Sequence, residues 1–149
     1  MCIRDSIDID HFKAINDRFG HPTGDRCLKS LSDLLANIPD LSNPLAARFG
    51  GEEFVVVYDA PCADHAAEYA RFLCKKIAQL ETTGVEGNTI RFTGSVGVSF
   101  TTSSADDPSD LMEKADRALY AAKRSGRDCA VAYSELSNDA TARQSHLRS

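Results

Sequence analysis

The chain has 149 residues, of which 42% are hydrophobic and 26% are charged, with nine glycines, five prolines and no tryptophan. This length fits one domain with a substantial core, and the composition excludes collagen-like, low-complexity and wholly disordered chains. Seventeen basic and 22 acidic residues give a net charge of −5, which disfavours a general nucleic-acid binder. No run approaches the roughly 18 apolar residues of a membrane span, so we expect neither nucleic acid as a partner nor a membrane segment.

The cysteines favour a reducing compartment. They stand at positions 2, 27, 62, 74 and 129, an odd number without a Cys-x-x-Cys pair. This pattern argues against a disulfide scaffold and against a zinc site. Cys27 and Cys74 fall within helical patterns, where a thiol packs as a small hydrophobe. We therefore expect a cytoplasmic protein.

The first element in chain order is a strand that ends at Ile7-Asp8-Ile9-Asp10. A central strand covered on both faces is nearly continuously apolar. The preceding letters, MCIRDS, do not have that character, because they place Asp5 on the same face as Ile7 and Ile9. We interpret residues 1–6 as foreign sequence and expect the first strand to be incomplete.

The next elements are a helix and a hairpin. Residues 23–38 predict a helix with Thr23 as its cap and an apolar stripe at Leu28, Leu31, Leu35 and Ile38. Two apolar runs, residues 45–49 and 54–58, flank Gly50-Gly51 and predict a β-hairpin with a glycine turn. A second helix is predicted over residues 64–80.

The last third of the chain predicts one long strand, a helix and a short strand. Residues 90–100 alternate strictly between apolar and polar or glycine, which predicts one strand of eleven residues. A helix opens at Pro108-Ser109, with Asp110 and Glu113 at capping-box spacing, and ends at Gly126. Residues 129–133 form the short strand, and residues 135–149 are polar and predict a disordered tail. This order predicts a layered α/β sandwich with an antiparallel component.

Three carboxylates follow the predicted strand ends. Asp8 ends the first strand, and Glu52 and Glu53 follow the glycine pair. Mg²⁺ prefers oxygen ligands, usually one or two carboxylates with substrate phosphates. For any one of these acids alone, a solvated surface position is the more common interpretation. Adjacent glutamates in a tight turn repel one another unless a cation compensates, and this favours a metal site.

Basic residues suited to phosphates lie far apart in the sequence. Lys13 follows the first strand, and Lys123 and Arg127 stand four apart at the end of the last helix, on one face. The same pair also complements the helix dipole. The glycine pair fits either a plain turn or a close approach of backbone to a ligand.

A polar group lies between the first strand and the first predicted helix: Asn16, Asp17, His21 and Asp25. Amide and carboxylate oxygens can accept the donors on a guanine edge. The same residue types are common in loops and helix caps, so the residues alone leave both interpretations open.

Three segments in order, IDIDHFKAINDRFGHPTGD, RFGGEEF and ADRALYAAKRSGRD, resemble the signatures of GGDEF-domain diguanylate cyclases, in the GGEEF variant. The resemblance covers residues 7–133 and implies a catalytic domain over residues 7–134. It implies an α/β (α+β sandwich) fold with a central, mainly antiparallel five-stranded sheet flanked by helices, similar to the palm of nucleotide cyclases and polymerases. The implied activity is nucleotidyl transfer that condenses two GTP into cyclic di-GMP, a bacterial second messenger.

The resemblance also implies roles for particular residues. Two Mg²⁺ (or Mn²⁺) ions per active site are implied, with ligands from Asp8, the Ile9 carbonyl, Glu52 and Glu53. Glu52, Glu53 and Lys13 would serve catalysis. The implied substrate-binding residues are Phe12, Lys13, Asn16, His21, Asp25, Gly50, Gly51, Lys123 and Arg127. Because each domain binds one GTP, turnover implies a symmetric homodimer, and an upstream sensor or dimerisation domain is implied as a partner.

Two departures from the family pattern bear on these expectations. The Arg-x-x-Asp motif of product inhibition is replaced by Leu-Ser-Asn-Pro at residues 41–44, so we expect no inhibitory site there. The leading helix with Asp-x-Leu-Thr and the longer apolar first strand are missing. The alternative to an active enzyme is therefore a catalytically silent domain that binds GTP or another protein.

Overall fold

Seven strands and four helices form within residues 1–136, the part of the chain that this computed structural model describes. In chain order they are β1 (Cys2–Ile9), α1 (Phe12–Phe19), α2 (His21–Ala36), β2 (Ser42–Gly50), β3 (Glu53–Asp59), α3 (Ala63–Ala78), β4 (Glu81–Thr83), β5 (Thr89–Arg91), β6 (Gly94–Thr101), α4 (Pro108–Arg124) and β7 (Ala130–Ala132). No helix in this range is long and apolar enough to cross a membrane.

The central sheet has five strands in the order β2-β3-β1-β6-β7. Every neighbouring pair is antiparallel except β6 and β7, which run parallel. Strand β1 lies in the middle, where Asp8 pairs with Glu53 on one side and with Ser95 on the other. This confirms the predicted mainly antiparallel five-stranded sheet. A separate two-stranded ribbon consists of β4 and β5.

Helices cover both faces of the sheet. One face carries the main apolar core, in which Ile3 and Ile7 of β1 pack with buried residues of α2 and α3 such as Leu31, Leu73 and Ile77. Helix α4 covers the other face, over β1, β6 and β7. Its buried side consists of Ala115, Ala118, Leu119 and Ala122.

Helix α4 packs directly on the backbone of β6. A β-carbon added to Gly97 would lie 2.1 Å from the Leu119 nitrogen and 2.3 Å from the Ala115 carbonyl oxygen. The Ser99 hydroxyl donates a hydrogen bond of 2.6 Å to the Leu111 carbonyl of the same helix. The glycine therefore permits the close approach of helix and strand.

Several local elements differ from those that the sequence predicted. Helix α1 was not predicted, because its polar residues were treated as a connection. Thr23 is not a cap: it is buried inside α2, and its hydroxyl donates to the Phe19 carbonyl at 3.0 Å. The true cap of α4 is Asp107, whose carboxylate accepts from the Ser109 amide at 2.8 Å.

The strand predicted over residues 90–100 is two strands. Strand β5 pairs with β4, while β6 joins the central sheet. The alternation was misleading because helices cover β6 on both faces, so that Ser95 and Ser99 are as buried as Val96 and Val98. Small serine side chains and Gly97 fit beneath α4, where the pattern predicted solvent.

The leader residues take part in β1. Strand β1 pairs from Cys2 onward with β3 and β6, so the first strand is eight residues long rather than short. Asp5 is fully buried within it. The foreign origin of residues 1–6 stays a prediction, as does the domain limit at 134. Of the predicted tail, residues 135 and 136 continue a helical turn that starts at Tyr133, and residues 137–149 lie outside the described part of the chain.

Candidate active site

Four segments that are distant in sequence meet at the end of β1. They enclose a cavity of about 190 Å³ that is lined by Asp8, Ile9, Asp10, His11, Phe12, Lys13, Glu52, Lys123 and Arg127. The segments are the end of β1, the first turn of α1, the β2–β3 turn and the end of α4. Seven of the residues that the sequence singled out are therefore brought together: Asp8, Ile9, Phe12, Lys13, Glu52, Lys123 and Arg127.

The chain turns sharply between β1 and α1. His11 adopts a left-handed conformation with φ 53°, and α1 begins at the next residue without a side-chain cap on its first turn. The amino end of a helix carries partial positive charge and attracts anions. Phe12 and Lys13 stand in this first turn and line the cavity. The turn therefore adds to the positive charge at the cavity.

The β2–β3 hairpin turns at Gly51 and Glu52. Gly51 has φ 50°, which favours glycine, and no atom lies within 4 Å of a β-carbon built on Gly50 or Gly51. The Glu52 carbonyl accepts a long hydrogen bond of 3.5 Å from the Ile9 amide, and the Arg48 guanidinium donates to the Gly51 carbonyl at 2.8 Å. These contacts hold the turn beside the end of β1 and leave the glycine backbone open to a ligand.

Asp8 is a buried acid of the cavity whose pKa is raised. Its side chain is only 5% exposed and forms an ion pair with Lys123. Burial raises the pKa of Asp8; the Lys123 hydrogen bond and charge oppose this, and the negative charges of Glu52 and Glu53 add to it. Asp8 is therefore a buried carboxylate whose negative charge is compensated by Lys123.

The carboxylates do not converge as a preformed metal cage. Within residues 1–136, no three His, Cys, Asp or Glu side chains come together closely enough to hold a metal ion. Glu53 is exposed and lies beside Asp8 in the β1–β3 register. Glu52 lines the cavity with Asp8. The shared metal role of Asp8, Ile9, Glu52 and Glu53 stays a prediction.

The residues predicted to recognise guanine lie to one side. Asn16 on α1 has a buried side-chain oxygen without a hydrogen-bond partner. A β-carbon added to Gly24 of α2 would lie 1.8 Å from that oxygen, so the glycine makes room for the amide. Asp25 lines a neighbouring cavity of about 510 Å³ with Arg48 and Phe54. His21 is exposed at the start of α2.

The cavity at the end of β1 does not include every residue that the sequence singled out. Six of them do not line it: Asn16, His21, Asp25, Gly50, Gly51 and Glu53. A still larger hollow of about 770 Å³ lies on the outer face of α4, beside Met112 and Tyr120. We place the candidate site at the smaller cavity because it combines the buried carboxylate of Asp8 with three basic side chains.

Two residues of this region were missed by the sequence analysis. Asp10 lines the cavity and is buried. The alternation Ile-Asp-Ile-Asp puts it on the same strand face as Asp8, and this signal could have identified it. Arg48, two residues before the glycine pair, links the hairpin turn to the Asp25 cavity, and no sequence spacing pointed to it.

Comparison with known families gives a match over most of the chain. Residues 6–129 match the family model described as diguanylate cyclase, GGDEF domain. Among curated proteins, the response regulator PleD of Caulobacter vibrioides is 39% identical over 127 residues, which are 84% of this chain and 28% of PleD. The chain spans 28–35% of the length of the first curated relatives that it matches.

Solved structures show the same likeness in three dimensions. The GGDEF domain of DgcB from Caulobacter crescentus, in complex with c-di-GMP, superposes with a TM-score of 0.81 at 29% identity, covering 89% of this chain and 78% of that one. The active GGEEF domain of a diguanylate cyclase from Vibrio cholerae superposes with a TM-score of 0.76 at 34% identity, covering 89% and 82%.

Proposed function

The chain belongs to the GGDEF family of diguanylate cyclase domains, and on that premise we propose that it condenses two GTP molecules into cyclic di-GMP and releases pyrophosphate. The supporting observation is the cavity at the end of β1, where the carboxylates of Asp8, Asp10 and Glu52 lie together with three cations, Lys13, Lys123 and Arg127. Phosphoryl-type transfer depends mainly on positioning and on neutralising charge, and this combination supplies both.

The donor set suits a hard divalent cation. Asp8, Glu52 and Glu53 offer carboxylate oxygens and Ile9 offers a main-chain carbonyl, the ligand class that Mg²⁺ and Mn²⁺ prefer. The mutual repulsion of these acids, which contributes to the raised pKa of Asp8, is relieved by a bound cation. Two such ions per site would neutralise the phosphates and lower the pKa of the attacking 3′-hydroxyl.

The residues of the chain itself have the following proposed roles. Lys13 stands in the first turn of α1 and stabilises negative charge that develops on the transferred phosphorus group. Lys123 and Arg127 neutralise the outer phosphates from the end of α4. Glu52 accepts the proton of the attacking hydroxyl, assisted by Glu53. Phe12 and the open backbone of Gly50 and Gly51 lie along the triphosphate.

Guanine recognition is assigned to α1 and α2. The unpartnered buried oxygen of Asn16 needs a donor, and a guanine edge provides N–H groups. Asp25 accepts from the same edge, with His21 nearby. Adenine lacks the N1–H and 2-amino donors of guanine, so the buried Asn16 oxygen would stay unmatched, which costs roughly 1–3 kcal/mol. The site is therefore expected to prefer GTP over ATP.

We propose that the active species is a symmetric homodimer in the cytoplasm. Each domain holds one GTP, so the two phosphodiester bonds of the product require two domains to face each other. All five cysteines are free thiols, which suits a reducing compartment. Because the chain spans only part of its relatives, we assign dimerisation and signal input to a sensor or dimerisation domain elsewhere in the complete protein.

Product inhibition is expected to be weak. Residues 41–44 are Leu-Ser-Asn-Pro, and the last three form the exposed start of β2. They offer no arginine–aspartate pair to the product. Initial rates measured with added cyclic di-GMP are expected to change by less than about twofold across the micromolar range. Strong inhibition at those concentrations would contradict this assignment.

A second candidate is a silent domain that binds GTP without turnover. Two observations favour it: Lys123 pairs with Asp8, and no three acidic, histidine or cysteine side chains within residues 1–136 form a metal cage. The deciding experiment incubates the protein with GTP and Mg²⁺ and detects cyclic di-GMP by mass spectrometry. Formation of the product supports the cyclase. GTP binding without product, also after an apolar first strand is restored at residues 1–6, would establish the silent domain instead.

A further inference from the structure

The buried carboxylate of Asp10 accepts three hydrogen bonds from two parts of the chain. One carboxylate oxygen accepts from the Ser95 hydroxyl at 2.6 Å. The other accepts from the Thr93 hydroxyl at 2.7 Å and from the Asp128 main-chain amide at 2.9 Å. The Asp10 side chain thus joins the end of β1 to the start of β6 and to the loop that follows α4.

That loop has an unusual backbone. Gly126, Arg127 and Asp128 have φ values of 115°, 67° and 47°, three consecutive residues in the left-handed region. For residues other than glycine this region is unfavourable, and such conformations persist only where the surroundings hold them. The Arg127 amide bonds to the Ala122 carbonyl at 3.1 Å. The bond from the Asp128 amide to Asp10 fixes the other side of the turn.

The position of this turn determines where Arg127 lies. Arg127 is the last cation of the cavity, and it follows the end of α4 by three residues. An arginine on an unrestrained loop would lose conformational entropy on binding a ligand, whereas a prearranged one loses less. Asp10 itself has its oxygens occupied by protein donors, so it differs from Asp8, whose one strong partner is Lys123.

We propose that Asp10 is a positioning residue that holds Arg127 at the cavity for the outer phosphates of a nucleoside triphosphate. This inference rests on the proposed function, because it takes the cavity as the triphosphate site. Asp10 acts through the Asp128 amide and the left-handed turn. The affinity for the β- and γ-phosphates therefore depends on Asp10, whereas the affinity for the nucleoside and α-phosphate does not.

The test compares the binding of GTP and GMP by calorimetry in wild-type protein, Asp10→Ala, Arg127→Ala and the double variant. Asp10→Ala and Arg127→Ala are each expected to weaken GTP binding about tenfold, and GMP binding by less than about twofold. The double variant is expected to bind GTP no more weakly than Arg127→Ala, because the two residues act through one contact. Ser95→Ala is the matched control: it removes one bond to Asp10, keeps the Asp128 bond, and is expected to bind both nucleotides like the wild type.

Hydrogen exchange supplies an independent measurement. The segment 126–129 is expected to exchange faster in Asp10→Ala and at the wild-type rate in Arg127→Ala. If Asp10→Ala does not fold, Asp10→Asn takes its place in the test. Asparagine has one acceptor oxygen fewer than aspartate, so this variant is expected to weaken GTP binding by a smaller factor and to leave GMP binding unchanged.

Wild-type GTP affinity in the folded Asp10 variants, or an equal loss of GTP and GMP affinity, would overturn the inference. A wild-type chain that binds GTP but makes no product would remove the proposed activity and leave this comparison valid. A wild-type chain without GTP affinity would overturn both.

Discussion

Replacing Asp5 with valine is expected to stabilise the protein at neutral pH. Asp5 lies at the centre of β1, fully buried, between Val56 of β3 and Val98 of β6. One of its carboxylate oxygens has no hydrogen-bond partner, and the other accepts only a long bond of 3.4 Å from the Tyr58 hydroxyl. A β-branched apolar side chain suits such a position in a sheet covered on both faces.

The expected gain in the free energy of unfolding of Asp5→Val follows from the unmatched carboxylate oxygens of Asp5. A buried polar group without a partner costs roughly 1–3 kcal/mol in the free energy of unfolding. For a chain of this size that corresponds to an increase in melting temperature of about 3–10 °C. In valine two methyl groups on the β-carbon replace the planar carboxylate of aspartate, and the fit of these methyl groups decides where in this range the result falls.

The stabilisation is expected to depend on pH. Burial raises the pKa of Asp5 well above its ordinary value of 3.8, and the Tyr58 hydrogen bond opposes this only in part. The folded state therefore binds the proton more tightly than the unfolded state. As the pH rises from 3.8 towards the raised pKa, the free energy of unfolding falls, and it levels off above that pKa. The Asp5→Val variant lacks this decline.

Chemical denaturation of wild type, Asp5→Val and Asp5→Asn between pH 4 and pH 8 tests the reasoning. Asp5→Asn keeps the shape and polarity but cannot ionise, so it is expected to lose the share of the pH dependence that Asp5 contributes, while the share from the raised pKa of Asp8 remains, and to gain less stability than valine. A wild-type stability that is flat across this range would refute the buried charge. A valine variant no more stable than wild type at pH 7 would refute the energetic argument.

Two further predictions concern the site. Glu52→Gln is expected to lower the rate of cyclic di-GMP formation at least about 100-fold with an unchanged circular dichroism spectrum; a wild-type rate would contradict the role of Glu52. Gly24→Ala is expected to weaken GTP binding about tenfold, because its β-carbon would displace the Asn16 amide, although alanine favours a helix by about 1 kcal/mol. Ser30→Ala on the same helix is the control, and equal GTP affinity of the two variants in calorimetry would contradict the Asn16 assignment.

The sequence predicted the parts of the fold that rest on apolar periodicity. The hairpin around Gly50-Gly51 and helices α3 and α4 were found, because their buried faces follow periods of two and 3.6 residues. The resemblance supplied the strand number and the family. That Lys123 and Asp8 lie in one site was expected only from that resemblance, because no local pattern connects residues that are 115 positions apart.

The misses arose where tertiary contacts override local pattern. Helix α1 has only eight residues, and its apolar stripe is limited to Phe12, Ile15 and Phe19, so the polar residues between them were interpreted as a connection. Thr23 was assigned as a cap because of its residue type, but α2 begins two residues earlier after Gly20. The role of Asp10 depends on donors from Thr93, Ser95 and Asp128, and these partners become apparent only in three dimensions.

The contact between Gly97 and α4 influences the geometry of the cavity although Gly97 does not line it. Helix α4 packs on the β6 backbone near Leu119, one turn before Lys123. The distance between Lys123 and Asp8 therefore depends on how closely α4 approaches Gly97. A methyl group at position 97 would clash with the backbone of α4 at Ala115 and Leu119. The helix would have to move away from β6, and the distance between Lys123 and Asp8 would increase although no residue of the cavity had been changed. The site is therefore sensitive to sheet–helix spacing as well as to its own side chains.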